Sequence, residues 1–124
     1  MEITPGLFIG SKDDVDIKKY KAVVNATVEV PITHSNTLHI PVKDETTTNI
    51  SQYFDKVYDF IKTSPPPILV HCEEGKSRSA TLVVAYLMKR MNMSFVDAFR
   101  YVDAIADIDP NASFFQQLKD YSMH

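Results

Sequence analysis

The stretch that decides the reading of this chain is Ile68–Ala80, ILVHCEEGKSRSA. It opens with an unbroken apolar run, Ile68 to Val70, of the kind that suits a central parallel strand buried on both faces. It closes into ATLVVAYLMKRM, apolar on nearly every side, as expected of a helix buried in the middle of a fold. Between them lie Cys72, the only cysteine of the chain, Gly75, and Arg78 six positions after the cysteine. A single cysteine excludes an intramolecular disulfide, so Cys72 is either a small buried hydrophobe or a reactive thiol.

Position favours the thiol. In open α/β sheets, ligands sit beyond the carboxyl ends of the strands, where this loop falls. The amides of such a loop, with the positive end of the following helix, form an anion cradle. Gly75 permits the tight curvature that aims those amides inward. The same surroundings favour the thiolate form of Cys72. Arg78, returning in the first turn of the helix, supplies a planar fork for two phosphate oxygens. A thiolate, an amide cradle and a guanidinium around one pocket predict nucleophilic attack on a phosphoryl group and a phospho-cysteine intermediate. That chemistry requires an acid for the leaving oxygen and a base for the incoming water. Asp44 is the first choice, since it follows the extended segment His39–Val42 and begins the exposed loop DETTTN; Glu45 is its rival. Asp55 and Asp59 lie four apart on a helix among lysines, the pattern of a solvated face. Ser79 is placed to donate to the sulfur as it departs, or is simple first-turn filler. His71 precedes the cysteine in an extended strand and points to the opposite face, so it supports the loop and is not the base. A metal site from His71 and Cys72 with His34 or His39 lacks any zinc-like spacing, and neither metal nor cofactor is expected.

The rest of the chain supplies the frame. With 124 residues and 44% hydrophobic content, it can bury one core and is too short for two ordinary domains. A single domain over 1–124 is therefore expected. The net charge of −3, spread along the chain, argues against binding nucleic acid by phosphate neutralisation. No apolar run approaches a membrane span, no basic and apolar leader is present, and Glu2 excludes the usual myristoylation start. These observations predict no membrane partner and a cytoplasmic location open to nuclear entry, with a monomer favoured. Leu7–Ile9 reads as an edge strand after a Pro-Gly turn, KAVVNATVEV as a buried strand ending near Asn25, and TLHIPV as another. Ile50, Phe54, Val57 and Ile61 recur at helical spacing, with Asn49 and Gln52 as an N-terminal capping pair. Pro65-Pro66-Pro67 ends that helix. Ser94 with Asp97 caps another, bearing Ala98, Phe99, Val102 and Ile105, and Asp109-Pro110-Asn111 opens a last one bearing Phe114, Phe115, Leu118 and Tyr121. The sum is an α/β domain with a central, mostly parallel sheet flanked by helices.

His71-Cys72-Glu73-Glu74-Gly75-Lys76-Ser77-Arg78-Ser79 matches H-C-x-x-G-x-x-R-S/T, the signature of cysteine-dependent protein phosphatases. Four fixed residues recur by chance at a given start about once in 160,000 trials. The ending SRSA resembles the dual-specificity phosphatases, especially their small, single-domain atypical branch. The likeness extends over nearly the whole chain, from ITPGLFIGS and VVNAT through IPVKD to DPNASFFQQL. It implies Cys72 as nucleophile, Arg78 as phosphate binder, Asp44 as general acid and Ser79 as the hydroxyl that assists thiolate departure. Glu73, Glu74, Gly75, Lys76, Ser77 and Arg78 would form the phosphate-binding loop. Hydrolysis of phosphotyrosine and phosphoserine or phosphothreonine in proteins follows from the resemblance. Alternatives are a catalytically weak domain that reads phosphate, or a phosphatase of phosphoinositide or RNA 5′-phosphate. The Asp44-to-Cys72 interval is 28 positions, shorter than the resemblance leads one to expect, and implies a shortened connection. Glu73 and Glu74 stand where neutral residues are commoner; two carboxylates at the mouth are expected to repel highly anionic substrates.

Overall fold

The computed structural model describes residues 1–122, so the last two positions of the expected domain lie outside the described residues. Its centre is the strand Ile68–His71, buried at all four positions. Numbered in chain order, the strands are β1 (Glu2–Thr4), β2 (Leu7–Gly10), β3 (Ala22–Asn25), β4 (Thr37–His39) and β5 (Ile68–His71), arranged β1-β2-β5-β3-β4. Only the β1–β2 pair is antiparallel. Leu7–Ile9 is thus not an edge: the three-residue β1, in a stretch too short to show alternation, takes that place.

The register positions the site. Gly10 and Asn25 both pair with His71, and His39 pairs with Asn25, so four strands end at one level. The chain leaves β2, β3, β4 and β5 at the same edge of the sheet, and four loops meet there. β4 stops at His39, short of the expected Val42. Ile40 still donates its amide to the Asn25 carbonyl, but Pro41 follows without an N–H, and Val42 turns back to the Ile40 carbonyl.

The helices are α1 (Phe54–Thr63), α2 (Arg78–Arg90), α3 (Phe95–Ala106) and α4 (Ala112–Tyr121). Ile68 and Val70 join the cluster that includes Val57, Leu82, Val102 and Leu118 of these helices. Leu69, on the opposite face, packs with Val23, Tyr20, Phe8 and Val15. The two-residue period of the strand therefore divides a large helical core from a small one roofed by the segment after β2. α2 buries ten of its thirteen residues, which is why its sequence carries no polar stripe; each fully buried leucine or valine there stabilises the fold by roughly 1.5–3 kcal/mol. Ser94 caps α3 as expected and Asn111 caps α4, accepting the amides of Asp97 and Phe114. Asn49 does not cap α1. A 3₁₀ turn, Ser51–Tyr53, precedes that helix; Gln52 reaches back to the Asn49 carbonyl, and the Asn49 side chain accepts from the Ser51 hydroxyl. Only Ser64–Pro67 connect α1 to β5, which accounts for the short Asp44-to-Cys72 interval.

Candidate active site

Cys72 follows β5 and Arg78 begins α2, so the loop between them bridges the central strand and the central helix. Its carbonyls turn outward: Glu73 accepts from the Lys12 amide at 3.1 Å and Lys76 from the Asp109 amide at 2.8 Å. The amides are thereby left to face the concave side, and that of Gly75 donates to the Cys72 sulfur at 3.3 Å. Gly75 has φ +79°, and a Cβ there would lie 2.8 Å from the backbone of Gly10. Both the curvature and the close approach to the turn after β2 require glycine. The Ser79 hydroxyl, fully buried, lies 3.2 Å from the same sulfur. The Gly75 amide and the Ser79 hydroxyl thus converge on Cys72 at the start of a thirteen-residue helix.

Ser77 occupies the N-cap position of α2, yet its side chain makes no capping bond. It donates instead to Asp44 Oδ1 at 2.7 Å. The first-turn amides of α2 are consequently not covered by their own cap and remain available to an anion. Asn111 Nδ2 donates to the same oxygen at 2.9 Å, while the Asn111 amide donates to the Ser77 hydroxyl at 3.1 Å. Asp44 Oδ1 therefore holds two donors, while Oδ2 has none among the described residues. Gln117 of α4 ties the far end of the same loop, donating to the Thr48 carbonyl and accepting from the Ser51 amide, both at 2.9 Å. A loop without one apolar residue is thus held by Gln117 of α4 and by Asn111, the cap of that helix.

Arg78 is 5% exposed, and its donors can be accounted for one by one. Nη1 and Nη2 each donate to one oxygen of Glu29 at 2.7 Å, and Nη1 also donates to the Val42 carbonyl at 3.0 Å. Nε is buried and has no partner among the described residues. A guanidinium has five N–H bonds; here the end-on edge is spent on Glu29, and the side-on edge, Nε with the second hydrogen of Nη2, stays free. Desolvation makes a lone buried donor costly, so this edge marks the place of an anion. The pairing with Arg78 holds the Glu29 carboxyl down at about 2 and raises the arginine further above its ordinary range.

Sequence reasoning did not find Glu29. It sits after β3 on a turn built by buried polar groups: Asn25 Oδ1 accepts from the Thr27 amide and hydroxyl, Asn25 Nδ2 donates to the Val30 carbonyl, and Thr27 Oγ1 accepts from the Val30 amide. Within VVNATVEV the glutamate looks like an ordinary solvent-facing position, and its partner is 49 residues away. The Asn-x-Thr pair at a strand end was the available signal. Asn111 was read only as part of the break that opens α4.

Some of the other candidate residues lie beside this centre and others lie apart from it. His71 is buried, and its Nδ1 donates to the Cys72 carbonyl at 3.3 Å; burial pushes the imidazole below its ordinary value, toward the neutral form. Glu73 pairs with Lys12 at 3.6 Å and Lys76 with Asp107 at 3.7 Å, both exposed. Glu74 is exposed at the mouth, and Glu45 lines the cleft beside Asp44 without its contacts. Asp55 is elsewhere, accepting from Tyr121 and Lys89. His34 and His39 are each committed to a backbone carbonyl, of Tyr20 and Thr27, at 2.7 Å. The cleft over Cys72 has a volume of about 540 Å³.

A mostly parallel sheet ending in a cysteine loop, with a free arginine edge and a carboxylate lining the same cleft, makes an α/β domain with a place for an anion. The family model for the dual specificity phosphatase catalytic domain matches residues 7–124, and the chain belongs to that family. It is 41% identical over 133 aligned residues to human dual specificity protein phosphatase 16, covering 96% of this chain and 20% of that protein. The chain thus spans about a fifth of that relative's length. Among solved structures, DUSP15 superposes with a TM-score of 0.91 at 27% identity, covering 98% of this chain and 86% of that one. The human tyrosine phosphatase-like serine/threonine/tyrosine-interacting protein gives 0.88 at 30% identity, covering 98% and 94%.

Proposed function

We propose that this chain is one catalytic domain, over 1–124, that hydrolyses phosphotyrosine and phosphoserine or phosphothreonine in proteins through a phospho-cysteine. The observation that carries the reading is the free side-on edge of buried Arg78, facing a cleft that Cys72 also lines. Phosphate oxygens bind that edge and the amides of the cysteine loop. The Cys72 thiolate attacks phosphorus, forming the S–P bond as the bond to the leaving oxygen breaks. Asp44 Oδ2 gives its proton to that oxygen. Water then attacks phosphorus and loses a proton to the Asp44 carboxylate. The S–P bond breaks, and the Ser79 hydroxyl donates to the departing thiolate. His71 holds the loop through the Cys72 carbonyl and takes no part in proton transfer.

Membership of the phosphatase family supports phosphoprotein substrates. Among the described residues no aromatic side chain lines the cleft, which suits phosphoserine and phosphothreonine beside phosphotyrosine. A cytoplasmic site of action goes with this reading; imaging of a tagged chain tests it. No helix among the described residues is long and apolar enough to cross a membrane. The activity is tested by turnover of p-nitrophenyl phosphate by wild type and Cys72→Ser. Release of phosphate by the first alone is expected, and full activity in the second would end the phospho-cysteine account.

A further inference from the structure

We propose that the rim of the Cys72 cleft is a cation-binding subsite, which selects phosphoprotein segments carrying lysine or arginine beside the phosphorylated residue. Glu45, Glu74 and Asp109 are its specificity-determining residues. This deepens the phosphatase reading and rests on it.

The carboxylates that line the cleft separate by partner. Glu29 is committed to Arg78, Asp44 to Ser77 and Asn111, and Glu73 to Lys12. Glu45, Glu74 and Asp109 are exposed, and among the described residues their side chains have neither a cation nor a hydrogen-bond donor. The cations separate in the same way. Arg78 is bound to Glu29 and Lys76 lies by Asp107, leaving Lys43 as the cleft lysine without a carboxylate partner among the described residues. Three free carboxylates thus face one free ammonium.

A solvated face of a single helix would also carry free charges, but these three residues come from three separate segments. Glu45 belongs to the loop after β4, Glu74 to the cysteine loop, and Asp109 to the connection between α3 and α4. The strand register brings the loop after β4 and the cysteine loop to one edge, and the Asp109 amide, donating to the Lys76 carbonyl at 2.8 Å, seats the α3–α4 connection beside them. The floor of the cleft, in contrast, calls for an anion, through the unpartnered and buried Nε of Arg78. The best-matched occupant therefore has a negative centre and positive neighbours: one phosphate flanked by basic side chains. A second phosphate or an acidic flank would meet like charge within a Debye length, about 8 Å at physiological salt.

The test uses two singly phosphorylated peptides that differ only in having lysine or glutamate on both sides of the phosphorylated residue. Wild type is expected to give a kcat/KM about three- to tenfold higher for the lysine peptide, falling toward unity as salt is raised. The triple variant Glu45→Gln, Glu74→Gln, Asp109→Asn is expected to bring the ratio near one. Taking the ratio within each enzyme cancels any change in turnover common to both peptides. If the triple variant does not fold, Glu74→Lys alone is expected to shift the ratio toward the glutamate peptide. Equal turnover of both peptides by wild type, or a ratio that survives these substitutions, overturns the proposal. So does faster turnover of a doubly phosphorylated peptide or a soluble polyphosphoinositide. Parallel assays with p-nitrophenyl phosphate separate the two levels: no turnover there rejects the phosphatase reading, whereas turnover without a lysine preference rejects the subsite alone.

Discussion

Glu29 and Arg78 meet edge to edge, each carboxylate oxygen accepting one guanidinium N–H at 2.7 Å, although 49 residues separate them in the chain. The pair leaves the remaining edge of the arginine free, in a residue that lines the same cleft as Cys72. A carboxylate in this position does not compete with phosphate for the same hydrogens; it orients them.

Glu29→Gln keeps the shape and removes the charge. We expect kcat/KM for p-nitrophenyl phosphate to fall roughly tenfold, mostly through KM, as the arginine loses its orientation. The same variant changes acid stability. The Glu29 carboxyl falls from 4.5 to about 2 on folding, so its contribution is full above 4.5 and is lost as pH drops toward 2. The side chain is 41% exposed, so solvent screening leaves about 1 kcal/mol of that contribution. Urea titrations of wild type and variant at several pH values should differ near neutrality and converge in this acidic window.

Asp44→Asn removes the proton donor while keeping an acceptor for Ser77 and Asn111. A loss of about 10²–10⁴ in kcat is expected for substrates with poor leaving groups, and less for p-nitrophenyl phosphate, whose leaving oxygen needs less help. An undiminished rate with phenyl phosphate would remove Asp44 from the mechanism.

Asn111→Ser separates two jobs of one residue. Serine can still cap α4, so thermal stability should change little, whereas its hydroxyl does not reach as far as the Asn111 amide that now meets Asp44. Turnover is expected to fall several-fold with stability retained. Asn111→Ala should lose both, with about 1 kcal/mol of stability.

How far these residues were legible depended on sequence distance. Cys72, Gly75, Arg78 and Ser79 could be read together because one strand–loop–helix unit carries them, and their spacing is itself the geometry. Asp44 could be placed by its position after a strand. Its two donors could not, since Ser77 looked like a loop residue and Asn111, 67 positions away from Asp44, like part of a helix-opening turn. Glu29 was hidden for the same reason: only the shared register of Asn25 and His71 brings its turn over the arginine. The strands followed their β-branched clusters, except that β1 was too short to leave a pattern and Pro41 ended β4 early.

Gly75→Ala places a Cβ 2.8 Å from the Gly10 backbone on a residue with φ +79°. Backbone cannot yield as a flexible side chain would, so the loop must shift. The expected result is loss of most activity together with a lower melting temperature. A fully active variant would show that the loop geometry is not what the reaction needs.

His71 is held below its ordinary value of 6.5 chiefly by burial. An unfolded chain takes up that proton more readily than the native one, so stability should decline as pH falls below 6.5. His71→Asn should show a smaller loss of urea midpoint between about pH 7.5 and 5.5 than wild type, since it has no proton to gain. Equal losses in the two proteins would mean that His71 does not report its burial in this way.

The most direct test of phospho-cysteine catalysis is acid quenching of Ser79→Ala during turnover of a labelled phosphoester. Without the hydroxyl beside its sulfur, the variant should break down the intermediate slowly, and close to one phosphate per chain should be recovered on the peptide containing Cys72. Label on another residue, or no label alongside undiminished turnover by Cys72→Ser, would contradict the account.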